Sequence, residues 1–217
     1  MLEVDSLSHA YGSERVLSGV YLDVRPGEIV GVVGRNGCGK TTMLRAMLGT
    51  LQPDHVHLEI DGEALHHAYR SGAVAYLPQE PYLPRRMRVR RAVSLALPTP
   101  EGRERVARHA RVAPLLRRRV RDLSGGEQRL LEVLLAAVFP SAYSLLDEPF
   151  TEIEPLHRGP LCDELRTIAH EDERGLVITD HAYRDVLAAA DRVVVLADGV
   201  IRPADGEEDL RRWGYTP

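Results

Sequence analysis

The sequence predicts an α/β fold, a mostly parallel sheet flanked by helices with one short helical insertion. Three observations predict it. Apolar, strand-like runs alternate with helical patterns along the chain, the order expected of parallel strands joined by helices. Glu28–Val33 is a β-branched run ending at Gly34, the profile of a buried strand. From Tyr82 to Arg121 the alternation gives way to thirteen arginines and two acids, a local balance of +11 in a chain of formal net charge −4. With 217 residues, 44% of them hydrophobic and 28% charged, the chain can bury one sizeable core and is too apolar for disorder. One domain over 1–217 is expected, with the inserted helical subdomain at about 80–138.

The elements follow in order. Leu2–Leu7 alternates and reads as a strand; Val16–Val24 is a second, closed by the turn signal Arg25-Pro26-Gly27. After the buried strand, Lys40–Leu48 carries Met43, Leu44, Met47 and Leu48 at helical spacing and stops at Gly49. Val56–Ile60 with Asp61-Gly62 is a strand and turn, and Ala73–Leu77 a further strand. The basic stretch 87–121 is mostly helical, broken by Pro98, Pro100 and Pro114. Glu127–Phe139 is a helix, Tyr143–Leu146 a buried strand and Leu156–His170 a helix. Gly175–Thr179, Ala182–Ala190 and Arg192–Leu196 close the chain as strand, helix and strand.

Composition narrows the setting. A membrane span needs about 18 uninterrupted apolar residues; the longest run, Leu130–Phe139, is broken by Glu132. Acids stand at Glu3 and Asp5, where a secretory leader would carry basic residues, and two cysteines make no disulfide framework. A cytoplasmic protein is expected. The arginine-rich segment has three readings: a nucleic-acid surface, a dock for anionic lipid or an acidic partner, or a solvated helical face. Against 27 arginines the chain keeps a single lysine, Lys40.

That lysine sits in Gly34-Arg35-Asn36-Gly37-Cys38-Gly39-Lys40-Thr41-Thr42, a G-x-x-x-x-G-K-[ST] loop between a predicted strand and a predicted helix. Glycines let successive amides converge on phosphate oxygens, and the helix start adds its positive end. Lys40 can reach β- and γ-phosphates, and the Thr41 hydroxyl can ligate Mg²⁺. Cys38 reads as a small filler or as an oxidisable thiol whose pKa the helix start lowers. Downstream, the apolar strand 142–146 delivers Asp147 and Glu148. Asp147 suits the metal, and Glu148, expected on the opposite side of an extended chain, suits the base that deprotonates water.

A further motif, Leu123-Ser124-Gly125-Gly126-Glu127-Gln128-Arg129, opens a helix about twenty residues before the acidic strand. With the loop at 34–42 and the Asp147-Glu148 pair, the chain resembles the ATP-binding-cassette (ABC) ATPases. The resemblance implies a P-loop NTPase core with an N-terminal antiparallel β part. It implies ATP stacked on Tyr11, which lies 23 residues before Gly34, held by the residues from Gly34 and Asn36 to Thr42, with Mg²⁺ on Thr41, Gln79 and Asp147. Catalysis falls to Glu148, His181, Gln79 and Lys40. Ser124, Gly125 and Gly126 are implied to face the γ-phosphate of a second copy, so that two copies sandwich two ATP molecules.

The family's transport members dock a membrane protein after the glutamine loop, here near 80–91, and the run 76–86 is most similar to lipopolysaccharide-export and branched-chain amino-acid ATPases. Tyr82, Leu83 and Met87 would form an apolar groove rimmed by Arg85, Arg86 and Arg88. The expected role is an ATP-hydrolysing transporter subunit, peripheral on the inner face of the membrane through separate permease subunits. The alternative is a soluble cassette acting on nucleic acid or ribosomes through 82–121. It is disfavoured because Tyr82 is the only aromatic of that stretch. One departure stands out: the family's small-x-Leu-Asp loop reads Thr151-Glu152-Ile153-Glu154, with an added charge at Glu152.

Overall fold

The computed structural model describes residues 1–65, 67–204 and 206–213. Strands β1 (Leu2–Tyr11), β2 (Glu14–Val24), β4 (His55–Ile60) and β5 (Glu63–Ala64) form an antiparallel sheet in the order β2-β1-β4-β5. β1 runs four residues past the sequence expectation. Its register slips between Val4 and Leu7, where Ser6 takes a φ of 56°. That bulge inverts the phase of the alternation, so Leu2 and Val4 point inward and then Leu7 and His9 do. A single-phase pattern therefore ends early, and the extra length carries Tyr11 outward.

The second sheet holds β3 (Ile29–Val33), β6 (Val74–Leu77), β7 (Tyr143–Asp147), β8 (Gly175–Asp180), β9 (Arg192–Ala197) and β10 (Val200–Ala204), in the order β10-β9-β3-β8-β7-β6. All are parallel except β10, which runs antiparallel to β9. This is the α/β class the sequence predicts. Val33 lies beside Asp180 and Asp147 beside Thr179, so the carboxyl ends of β3, β8 and β7 are level and their loops open on one rim. Ligands of open α/β sheets bind at such a rim.

Helix α1 (Lys40–Leu48) follows β3, and α2 (Ala68–Ser71) precedes β6. Between β6 and β7 come α3 (Val89–Ala96), α4 (Pro100–Arg108), two single 3₁₀ turns and α5 (Gly125–Val138). Then α6 (Pro155–Glu171), α7 (Tyr183–Ala189) and α8 (Glu207–Arg212) complete the chain. The sheet is buried on both faces. Ile29 and Val33 pack with α5, α6 and α7, whereas Val30 and Val32 pack with α1 and the antiparallel sheet. That double burial is why β3 reads as an unbroken apolar run. β10 escaped the sequence reading because Pro203 demotes a strand, and a proline is tolerated here only because β10 is an edge.

Candidate active site

The loop from Gly34 to Gly39 curls between β3 and α1. At Gly34 a Cβ would lie 2.5 Å from Cys38 Sγ and 2.6 Å from the Leu196 carbonyl, so only glycine closes the curl. Gly39 caps α1 at a φ of 107°, which a side chain would strain, and no side chain bonds the first amides of the helix. No acid stands in its first turn. Amides without a side-chain cap and the helix dipole suit an anion here. Lys40 is buried, and its ammonium donates to the carbonyls of Gly34 (2.7 Å) and Arg35 (3.2 Å). The charge is thereby held over the loop where a phosphate would compete for it.

An open cleft of about 550 Å³ gathers what the sequence singled out: Tyr11, Asn36, Gly37, Gly39, Lys40, Thr41, Thr42, Gln79, Glu148 and His181 line it. Tyr11, half exposed at the mouth, lies with its hydroxyl 3.5 Å from Thr42 Oγ1 and its ring edge-on to His9. Asp147 is buried behind the cleft, accepting from Thr179 Oγ1 at 2.7 Å and Tyr76 Oη at 3.4 Å. Burial and the neighbouring Asp147 push the Tyr76 hydroxyl far up, which keeps it a neutral donor.

Four expectations need correcting. Glu148 is not on an extended chain: β7 ends at Asp147, and Glu148 turns into the left-handed region at a φ of 52°. Its amide donates to the Thr179 carbonyl (2.7 Å), and its Oε2 accepts from Thr151 Oγ1 (3.2 Å) and lies 3.7 Å from His181 Nδ1. A non-glycine residue in that region marks stored strain, here at the acid expected to act as base. Cys38 has no lowered pKa, because burial pushes its thiol up and outweighs the nearby Lys40. Cys38 and Gly34 do not line the cleft but form the back of the loop, facing a neighbouring hollow with Trp213. Leu83, expected in an exposed groove, is buried with Val89 in the core, leaving exposed Tyr82 and half-buried Met87.

Two residues escaped the sequence reading. Arg129, 4% exposed at the second turn of α5, donates to the carbonyls of Pro78 (2.8 Å), Gln79 (3.4 Å), Asp147 and Glu148 (3.0 Å). It thus pins the Gln79 loop to the end of β7. Glu132, 3.8 Å away and fully buried, accepts from the Tyr82 and Leu83 amides and from Gln128. The only signal was a charge interrupting an apolar helix, which the pattern records as a break. Asp180, also buried, accepts from the amides of Phe150 (3.1 Å) and Ala182 (2.8 Å) and so sets both the turn after Glu148 and the His181 backbone. Burial pushes its carboxyl up, and those two amides oppose the shift.

The Ser124–Gly126 turn lies elsewhere. Ser124 Oγ accepts from the Glu127 amide (3.1 Å) and Glu127 returns the bond to the Ser124 amide (2.8 Å), a complete capping box. These residues open onto a second cleft of about 610 Å³ with Arg111, Glu152, Glu154 and His157. None of the phosphate-loop residues lines it.

A family model described as ABC transporter matches residues 17–151. The chain belongs to the ABC transporter family. This cassette is 37% identical, over the full length of both chains, to a putative ABC transporter ATP-binding protein, VNG_2317G, of Halobacterium salinarum. It is 32% identical to the lipopolysaccharide export ATP-binding protein LptB of Acidithiobacillus ferridurans, covering 97% of this chain and 92% of that one. Hemin import ATP-binding protein HmuV of Bordetella avium is 33% identical, with 94% and 85% covered. Among solved structures, an ATP-binding subunit of an ABC transporter superposes with a TM-score of 0.83 at 24% identity, over 99% of this chain and 94% of that one. The ADP conformation of the cassette MJ1267 gives 0.84 at 19% identity, over 98% and 93%. The cassette is thus an ATP-binding, ATP-hydrolysing subunit of an ABC transporter.

Proposed function

We propose that two copies of the cassette close head to tail around two Mg²⁺-bound ATP molecules, and that hydrolysis there drives separate transmembrane permease subunits. One observation carries the reading: a single chain holds two helix starts that open onto separate clefts, one with Lys40, Glu148 and His181 and one with Ser124–Gly126. Both clefts are open to solvent. A two-fold pairing of the first cleft of one copy with the second of its partner completes both sites at once.

Within such a site the roles follow from chemistry. Tyr11 stacks on the adenine, the amides from Asn36 to Thr42 and the Lys40 ammonium bind the phosphates, and Ser124–Gly126 add amides from the other side. Glu148 takes the proton from the attacking water while His181, close to both Glu148 and Asp180, orients it; Gln79 senses the terminal phosphate. The residues present fit Mg²⁺, because the Thr41 hydroxyl, Gln79 amide and Asp147 carboxylate are hard oxygen donors. Thr41 and Gln79 line the cleft, and Thr179 fixes Asp147 behind it. Bound there, the ion supplies charge neutralisation at the phosphates.

The membrane partner docks near 80–91, where Tyr82 is exposed, Met87 half-buried, and Arg85, Arg86, Arg88, Arg90 and Arg91 exposed. Arg118 and Arg121 are ion-paired, but none of these five is paired among the described residues, so an acidic partner segment fits. Among the described residues no helix is long and apolar enough to cross a membrane; we place the cassette on the cytoplasmic face, held there by its partners. The nucleic-acid reading is set aside, since the relatives are named as transporter components. The test is Glu148→Gln. It is expected to lower turnover by about 10²–10⁴-fold and to accumulate an ATP-bound dimer in light scattering after gel filtration. Wild-type turnover without a dimer refutes the reading.

A further inference from the structure

We infer that Glu152 is a built-in anionic gate, a carboxylate parked on the Ser124–Gly126 turn that opposes arrival of the partner's terminal phosphate. The inference rests on the paired-cassette reading and extends it to what sets the threshold for pairing. Glu152 lies over both glycines. A Cβ at Gly125 would collide with Glu152 Oε2, and one at Gly126 would lie 2.7 Å from the Glu152 carbonyl oxygen. The same two glycines that would bare amides to a phosphate thus give Glu152 room to sit against them.

Charge compensation singles this residue out from the other acids of the cleft. Glu127 is engaged by the Ser124 amide and by Arg118 at 3.2 Å, and Glu154 lies 3.7 Å from His157. Glu152, exposed, takes part in no hydrogen bond or ion pair among the described residues. Its backbone is nonetheless fixed at a φ of 62° in the turn that begins at Glu148, where the Thr151 amide donates to the Glu148 carbonyl and the Ile153 amide to the Phe150 carbonyl, both at 3.2 Å. A carboxylate without an ion-pair partner among the described residues, in a cleft that Arg111 also lines, is therefore held on the helix start by a strained turn, four residues from the acid expected to activate water. A helix start prefers an anion. Here it is offered one from its own chain, and a triphosphate must displace that carboxylate or be repelled by it. The long, exposed side chain can swing aside, so the gate raises the threshold for pairing without forbidding it. A closed pair contains two such contacts, so the per-site effect enters the pairing constant squared.

The test compares dimerisation in the Glu148→Gln background, by sedimentation with saturating Mg²⁺ and ATP at low and high salt. Adding Glu152→Gln removes the charge and keeps the shape; adding Glu152→Gly removes both and accepts the positive φ. Both are expected to tighten pairing by about tenfold or more at low salt, with the gain shrinking at high salt. A Gln variant that pairs no better than its parent overturns the gate, even if the Gly variant improves, because bulk and not charge is then responsible. If neither the parent nor either variant pairs while calorimetry shows each binding ATP, the paired reading itself fails. Pairing by both variants but not by the parent supports the gate in its strongest form.

Discussion

Replacing Arg129 by methionine probes what holds the active site together. The guanidinium is 4% exposed, bonds four carbonyls on two segments, and lies 3.8 Å from the fully buried Glu132. Burial pulls its pKa below the usual arginine value, and Glu132, Asp147, Asp180 and Glu148 oppose that shift. Methionine keeps the apolar stem but leaves Glu132 as a buried, unpaired carboxylate. Breaking such a pair costs about 3–5 kcal/mol, a large share of the ~5–15 kcal/mol available to a domain. With a urea slope of about 2 kcal/mol per molar, the unfolding midpoint should fall by about 2 M. Turnover should fall by about 10²-fold, because Gln79, Asp147 and Glu148 lose their common clamp and misplacement is costly. Adding Glu132→Gln removes the stranded charge and should recover about 1–2 kcal/mol. A midpoint shift below about 0.5 M with turnover intact, or strict additivity of the two substitutions, refutes this reasoning.

Other outcomes follow from the same geometry. Lys40→Met, which removes the charge held over Gly34 and Arg35, should lower ATP hydrolysis by about 10²–10³-fold; retained turnover in a phosphate-release assay contradicts its role. Cys38, its thiol pushed up by burial, should react with iodoacetamide at neutral pH about tenfold more slowly than a free cysteine, read by mass spectrometry against the unfolded chain. Fast labelling would mean the loop does not bury it. His109 has its pKa lowered by burial, and its Nδ1 accepts from the Arg111 amide at 3.3 Å. The folded ring binds a proton less readily than the unfolded one, so its contribution is whole above the ordinary histidine value of about 6.5 and is lost as pH falls through the depressed one. His109→Asn should flatten the pH dependence of urea midpoints in that window; an unchanged slope removes His109 as its source.

Much of the site was legible because its chemistry is local. The loop 34–42 is one contiguous turn whose glycines, lysine and threonine serve a single anion, and β7 delivers Asp147 as the last residue of an apolar run. Tyr11, Gln79 and His181 came from the family resemblance, and the cleft contains all three. What failed had tertiary causes. The bulge at Ser6 and the left-handed turn at Glu148 are backbone events that no alternation pattern encodes. In the sequence Glu132 only breaks an apolar run and Arg129 only ends the 123–129 motif. They act only because α5 is buried beneath the Gln79 loop and the segment after it, where backbone carbonyls and amides need partners.

By itself, the sequence determined the fold class, the alternation of the central strands and helices and the identity of the phosphate loop, since periodicity and a nine-residue motif depend on neighbours along the chain. The tertiary structure alone decided that the Cys38 thiol is half-buried and its pKa raised, that Leu83 belongs to the core, and that Glu152 rests on Gly125 and Gly126. The physical reason is distance along the chain. Burial, desolvation and charge pairing are set by residues brought together from far apart, and no local pattern records which of them will meet.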